Sequence, residues 1–156
     1  GARILSSLEK LHLTIKKLNL KIIDKSNYLK LSHKEGIPIE GVMSLQNSLF
    51  GLESNFEELK AIDFKKGCYV GQENTARMKL KNKLRRRLLP VTSNKPLNIS
   101  DEIKFNDQVV GKVLIGGQYP FALIKLFDPE LEVFSKHNLK VQDSNIQIII
   151  PSYLKF

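Results

Sequence analysis

The sequence predicts an α+β chain in two parts, helices first and a small antiparallel β structure after them. Three observations carry this. Apolar residues recur at helical spacing in the first third of the chain. Short β-rich runs separated by turn chemistry fill the last sixty or so residues. Between the two lies a strongly basic stretch closed by Pro90, Thr92–Asn94 and Pro96, which reads as a boundary. The expected division is therefore residues 1–90 and residues 91–156.

The elements follow in order. Arg3-Ile4-Leu5 reads as the end of a strand. Leu8, Leu11, Ile15, Leu18 and Ile22 step by three and four, the mark of one apolar helical stripe. A second helix is punctuated at both ends: Asp24 or Ser26 caps it, Tyr28, Leu31 and Glu35 follow, and Gly36 with Pro38 stops it. Residues 39–54 have no clear period and read as a long connection. Asn55 begins an amphipathic turn through Phe56, Leu59 and Ile62, and a further helix is expected from Gly71 to Lys83, with a narrow stripe of Ala76, Leu80 and Leu84. In the second part, Ile103–Phe105, Val109–Ile115, Phe121–Phe127, Leu131–Phe134, Leu139–Val141 and Ile146–Ile150 read as strands. They are separated by Asn106-Asp107, Gly116-Gly117, Asp128-Pro129 and Asp143–Asn145, and together predict a small barrel or sandwich. The first part has several helices but few strands to cover them, and the chain opens Gly1-Ala2-Arg3. Both features lead to the expectation of a fragment with further lobes upstream.

Composition narrows the function classes. With 42% hydrophobic and 26% charged residues among 156, the chain can bury a core. The longest apolar run, Ile148-Ile149-Ile150, is too short for a membrane span, and no charged-then-apolar leader is recognised. The single cysteine, Cys68, cannot form an internal disulfide or a multi-cysteine metal site within one chain. The expected compartment is reducing and cytoplasmic.

The net charge of +9 is unevenly spread. Residues 67–100 hold eight Lys and Arg against one acid, Glu73, and Arg77, Lys79, Lys81, Lys83, Arg85, Arg86 and Arg87 crowd into eleven positions. Twenty of the twenty-five basic residues are Lys, so three consecutive arginines run against the bias of the chain. This basic helix is expected to meet phosphates, glutamate tails or an acidic partner. A role in RNA binding has less support, because no Phe, Tyr or Trp lies between Val70 and Phe105 to give bases a stacking platform.

The chemistry concentrates at Cys68. A thiol just ahead of a helix start, with Lys65, Lys66 and Arg77 near in sequence, is drawn toward thiolate from the ordinary cysteine value of about 8.5. Gly67 and Gly71 bracket it and permit close approach. Glu73 and Arg77, four apart, can pair. Against this stands the common case of a buried cysteine that acts as a small hydrophobe. The histidines, His12, His33 and His137, are all more than thirty residues away, and nothing argues for a Cys–His hydrolase.

The string Lys66-Gly67-Cys68-Tyr69-Val70-Gly71-Gln72-Glu73, followed by Ala76-Arg77, resembles the signature of the YgfZ family, folate-binding relatives of the glycine-cleavage T-protein that assist iron–sulfur cluster assembly and repair. Tyr28–Leu31 leading to Gly36-Ile37-Pro38, then Glu53-Ser54-Asn55-Phe56, Asp63-Phe64-Lys65, Gly111-Lys112-Val113 and Ile150-Pro151 agree with it. The resemblance implies a partial ferredoxin-like, T-protein-like folate-binding lobe carrying the cysteine motif, followed by a closing β-barrel. It assigns Cys68 as the reactive residue and as a transient metal or cluster ligand. Lys66, Gly67, Tyr69, Gly71, Gln72, Glu73 and Arg77 present it, and Lys79, Lys81, Lys83, Arg85, Arg86 and Arg87 meet anions or a partner. The implied cofactor is tetrahydrofolate or a derivative in the full-length protein, with no stable metal from this chain alone. The implied partners are iron–sulfur proteins or assembly factors, including some that modify tRNA, and no membrane. Where relatives place Leu-Arg-Ile before a pteridine-binding glutamate, this chain has Leu31-Ser32-His33-Lys34, leaving Glu35 as the substitute. The alternative function is an aminomethyltransferase of the glycine-cleavage type, which would need an acid from a lobe not contained in this sequence.

Overall fold

A computed structural model describes residues 4–67, 72–80 and 84–155. Its centre is a closed six-stranded barrel with strand order β1-β4-β3-β2-β5-β6. The strands are β1 Arg86–Ser93, β2 Glu102–Phe105, β3 Gln108–Ile115, β4 Phe121–Lys125, β5 Leu139–Val141 and β6 Ser144–Ile148, and every neighbouring pair is antiparallel. Closure leaves no open edge to aggregate. The interior is filled by Leu89, Val91, Ile103, Val110, Val113, Ile124, Leu139 and Ile146, all at most 2% exposed.

Most strands lie where the β-rich runs predict them, and the tight turns use the expected chemistry. Asn106 and Asp107 both adopt positive φ, +47° and +65°, so the β2–β3 hairpin turns through two left-handed residues that match the twist of the strands. Gly111 is needed for close approach, since a Cβ there would sit 2.6 Å from the Ile124 side chain and 3.0 Å from the Leu123 carbonyl.

Two elements differ from expectation. Leu131–Phe134, read as a strand, is a short helix, α4. Leu131 and Phe134 stand three apart, face one way and are buried in the barrel core, a helical period rather than an alternating one. The other is β1, which opens at Arg86 inside the segment assigned to the first unit. Pro90, expected at a boundary, lies within the strand. It sits where β1 changes partner: Arg86–Pro90 pair with β4 and Val91–Ser93 with β6. A residue without an N–H is tolerated at such a switch, while its carbonyl still accepts from the Ile149 N–H at 2.9 Å.

The outer face of β1, β3 and β4 is covered as well. Leu88, Leu114, Ile115, Phe121 and Leu123 form a second buried cluster against Leu45 and Leu49, from the segment around a 3-10 turn at Val42–Leu45. Ser44 fastens that turn by donating its hydroxyl to the Leu114 carbonyl at 2.7 Å.

The helical part departs further. α1 runs Leu8–Lys17 and buries no residue; Leu8 is 70% exposed. Ile22 falls beyond it, and Ile4-Leu5 is not a strand. Among the described residues before Arg86 there is no strand, so the ferredoxin-like lobe is not seen. α2, Lys25–Lys34, agrees with its punctuation. The Asp24 carboxylate accepts from the Ser26 N–H at 2.7 Å as N-cap, and hydrogen bonding to the Ser26 side chain first, and to its N–H second, holds its carboxyl below the ordinary aspartate value. Gly36 ends α2 at φ +68°, where a Cβ would meet Pro151 at 2.6 Å. No helix among the described residues is long and apolar enough to cross a membrane.

Candidate functional site

The motif helix is α3, described over Gln72–Leu80, within the expected span of Gly71 to Lys83. Cys68, Tyr69 and Gly71 lie outside the described residues, as do Lys81 and Lys83, so the exposure of the thiol is not part of the geometry. Gln72 opens α3. On the near side of the motif, Lys66 and Gly67 are exposed, and a Cβ on Gly67 would meet nothing within 4 Å.

What the structure does show is how both ends of the motif are held. On entry, the Asp63 carboxylate accepts from the Lys65 N–H at 2.8 Å, an Asx turn that sets the direction of Phe64-Lys65-Lys66. On exit, Lys79 of α3 pairs with Glu57 at 2.5 Å and lies over the Phe64 ring, 5.8 Å from its centroid. Lys79 thus clips the end of α3 to the chain that leads into the motif. Arg77 pairs with Glu73 at 2.6 Å, one helical turn apart, as expected for an exposed pair that steadies the first turn by a few tenths of a kcal/mol.

The basic run is divided rather than continuous. Arg77 and Lys79 belong to α3, while Arg86 and Arg87 lie in β1, so it forms no single basic helix. Two of the three arginines face acids from residues 50–60. Arg86 donates to Glu53 Oε1 at 2.9 Å, and the second oxygen of Glu53, itself 3% exposed, accepts from the Phe50 N–H at 2.9 Å. Arg87 is paired with Glu58 and donates to Asn55 Oδ1 at 2.8 Å. Burial pushes the Glu58 carboxyl up, but the Arg87 hydrogen bond, its own backbone and the charges of Arg87 and Lys79 together outweigh burial and hold it below its ordinary value.

The segment Glu53-Ser54-Asn55-Phe56 is what docks this loop on the barrel. The Leu88 N–H donates to the Glu53 carbonyl at 2.7 Å, and the Asn55 side chain returns a donor to the Leu88 carbonyl at 2.9 Å. Asn55 completes a pairing for β1 with its amide where a strand would use backbone. It is 1% exposed and sits at φ +61°, a conformation asparagine adopts more readily than most residues. The sequence marks this segment only through the family resemblance, not through its docking role. An asparagine in a polar stretch gives no sign of the carbonyl it meets thirty-three residues on.

Two further spaces matter. Beside α3 opens a cleft of about 910 Å³, bordered by the loop at Phe50, by Arg77 and Met78, and by the ends of β1 and β4. A smaller cavity of about 170 Å³ lies between α2 and the β3–β4 turn, lined in part by Leu29, His33, Ile37, Tyr119 and Phe121. His33, which nothing in the sequence marks as buried, is 7% exposed there. Its Nε2 lies 2.9 Å from the Pro120 carbonyl, and its ring meets Phe121 edge-on at 5.1 Å. Burial lowers its pKa against two backbone hydrogen bonds. The small cavity is below the roughly 300 Å³ at which ligand pockets begin, and Glu35 does not line it, so these residues do not build a pteridine pocket. Among the described residues, no three His, Cys, Asp or Glu side chains converge as metal ligands.

No protein-family model matches the chain. Individual relatives do. One is the iron-sulfur cluster assembly factor IBA57, mitochondrial, of Mus musculus, 42% identical over 78 residues, which are 49% of this chain and 22% of the mouse protein. The human protein of the same name is 36% identical over 109 residues, 65% of this chain and 30% of its own. The Dictyostelium discoideum homolog is 41% identical over 69 residues, 44% and 17%. The chain is similar to mitochondrial iron–sulfur cluster assembly factors. It spans less than a third of the length of these relatives. The comparison also corrects the expected compartment. Each of these relatives is mitochondrial, which points to mitochondria and away from the cytoplasm; a lone cysteine does not distinguish the two.

Proposed function

We propose that this chain is the part of a mitochondrial iron–sulfur cluster assembly factor that carries its motif cysteine. The observation that supports the reading is the 42% identity over 78 residues to the mouse assembly factor, together with the YgfZ-like string around Cys68. In this reading Cys68 acts as a thiolate that a partner meets during cluster assembly. One thiolate cannot hold a cluster by itself, since such sites generally take four protein ligands, so the remaining ligands come from the partner or a small thiol. The partners are iron–sulfur proteins or other assembly factors, and enzymes that modify tRNA are among the expected beneficiaries.

The chain's own residues contribute position. Asp63 directs the entry to the motif, Lys79 clips its exit helix to Glu57 and Phe64, and Asn55 with Arg87 anchors the supporting loop on the barrel. The described chain on either side of the motif cysteine is thereby tied to its neighbours, which supports a site that must meet a second protein. Tetrahydrofolate or a derivative is proposed only for the longer polypeptide, because Glu35 and the cavity beside α2 do not fit a pteridine.

The test is replacement. In cells lacking the endogenous relative, a chimera in which this chain stands in for the matching portion is expected to restore the activity of mitochondrial iron–sulfur enzymes. The same chimera with Cys68→Ser is expected to fail while accumulating to the same level. No restoration by the unmodified chimera, or equal restoration by both, would overturn the proposal.

A further inference from the structure

The cleft beside α3 combines features that the proposed cluster chemistry does not use. Phe50 and Phe127 line it, 52% and 59% exposed, and Met78 of α3 adds further apolar surface to the lining. Singly such exposed aromatics are ordinary, but brought together with a methionine on one cleft they form an apolar patch of the kind that marks interaction surfaces. Phe50 is also held in place, because its N–H is fixed to the buried Glu53 carboxylate.

Charge distinguishes the cleft further. Arg77, Arg85, Arg86 and Lys125 border it against Glu53 and Asp128. Glu53 is already committed to Arg86 and to the Phe50 N–H, so it offers nothing to a ligand. Arg77 is paired with Glu73 outside the lining. Arg85 and Lys125 enter no ion pair among the described residues, and Asp128 is the one uncommitted acid on the lining, so the local balance is positive.

We propose that this cleft docks an acidic segment of a partner protein, one that places an apolar side chain between Phe50 and Phe127 and sets flanking carboxylates on Arg85 and Lys125. Aromatic residues, Met and Arg are the side chains enriched at protein interfaces, and a central apolar anchor with polar contacts around it is the arrangement in which binding energy concentrates. A nucleic-acid strand fits less well. A phosphate track needs a cation at each step, whereas here two arginines are already engaged inside the chain. The inference rests on the reading that the protein works through a partner, and it names where that partner is held. α3 lies in the same motif as Cys68, so a segment seated here would tether the partner to the element that follows the thiol.

The test uses the whole chain and a displayed library of random short peptides. The enriched peptides are expected to carry Asp or Glu on both sides of Phe, Leu or Met. Synthetic peptides of that kind are expected to bind about tenfold more weakly to Phe50→Ala/Phe127→Ala and to Arg85→Glu/Lys125→Glu, with only the second loss reproduced on the parent protein by raising salt. The four side chains contribute little to the core, and matching thermal melts confirm that the variants are folded. Enrichment of peptides without carboxylates, or binding that either double variant leaves unchanged, overturns the proposal. Displacement of the peptides by oligouridylate or by tetrahydrofolate at lower concentration than by free peptide reassigns the cleft and overturns it too. Because no cluster chemistry enters this assay, its failure leaves the replacement experiment untouched. Failure of that experiment with peptide binding intact would remove the cluster reading alone.

Discussion

Asn55 is the residue on which the docking of the 50–60 loop turns, and its replacement has a magnitude that follows from the structure. Asn55→Ala removes the amide that donates to the buried Leu88 carbonyl and the oxygen that accepts from Arg87. The first loss costs about 1 kcal/mol and the second about 1.5–3 kcal/mol, since hydrogen bonds to charged groups are the stronger class. Alanine at φ +61° adds about 1 kcal/mol of backbone strain. Arg87 keeps Glu58, which softens its loss, so the expected destabilisation is roughly 3–5 kcal/mol, a large part of a small domain's stability. Asn55→Gly keeps the backbone relaxed and is expected to cost about 1 kcal/mol less than alanine. Asn47→Ala is the control: its φ is +59° but the residue is exposed, so it is expected to show the backbone cost alone, about 1 kcal/mol. Urea unfolding followed by far-UV circular dichroism suits a chain without tryptophan. If Asn55→Ala and Asn47→Ala cost the same, the amide does not hold the loop and the reasoning fails.

Three further outcomes are expected. His33 is buried with a lowered pKa, so the unfolded chain binds its proton first. The His33 contribution is complete above the unfolded value of about 6.5 and is lost as pH falls through that value toward the folded one; the part of the stability slope between pH 7.5 and 5.5 that Asn or Gln at position 33 abolishes measures it. The Tyr153 hydroxyl is buried with no partner among the described residues, and burial, aided by the Glu58 charge, pushes its phenol up to about 12, so one of the four tyrosines is expected to resist ionisation near pH 10 in an ultraviolet titration, and Tyr153→Phe to leave stability unchanged or raised. The three consecutive arginines are expected to rank Arg87→Ala at about 2–4 kcal/mol, Arg86→Ala at about 1–2 and Arg85→Ala within about 0.5, because the Arg87 side chain is itself largely buried in its pair, Arg86 is half-exposed and leaves Glu53 its second hydrogen bond from the Phe50 N–H, and Arg85 enters no ion pair among the described residues; equal costs in urea melts would show that the triplet is a plain surface field.

The barrel is legible because its strands announce themselves one by one. β2, β3, β4 and β5 are short runs of Val, Ile, Leu and Phe with turn residues at their ends, and the Asn106-Asp107 hairpin needs no tertiary information. β1 is hidden for the opposite reason. It is buried on both faces over Leu88–Val91, so no alternation shows, and it opens with cations and contains a proline, both signs of a non-strand. α4 is hidden by length, since four residues with two buried apolar positions satisfy either period. α1 is legible as a helix but not as an exposed one, because a stripe of leucines announces burial without saying against what.

The candidate site divides along the same line. Local chemistry shows in the sequence: the glycines around Cys68, the Glu73–Arg77 pair and the Asp63 turn need only neighbours. The charge of the segment does not, because it is a property of the fold. Read linearly, residues 67–100 carry eight cations against one acid. Folded, Lys79, Arg86 and Arg87 meet Glu57, Glu53 and Glu58, which come from an acidic loop some twenty to thirty residues earlier. Among the described residues, three of the cations that the linear count reads as offered to a partner are instead paired internally between the loop and the elements that flank the motif. The aromatics work in reverse. None lies in the basic run, yet the fold brings Phe50 and Phe127 from far away in sequence to its side. Among the described residues, the proposed recognition surface centres on Arg85 and Lys125 and is more apolar than the linear charge predicts. Its selectivity should rest on the side chain seated between the two rings at least as much as on the number of charges around it.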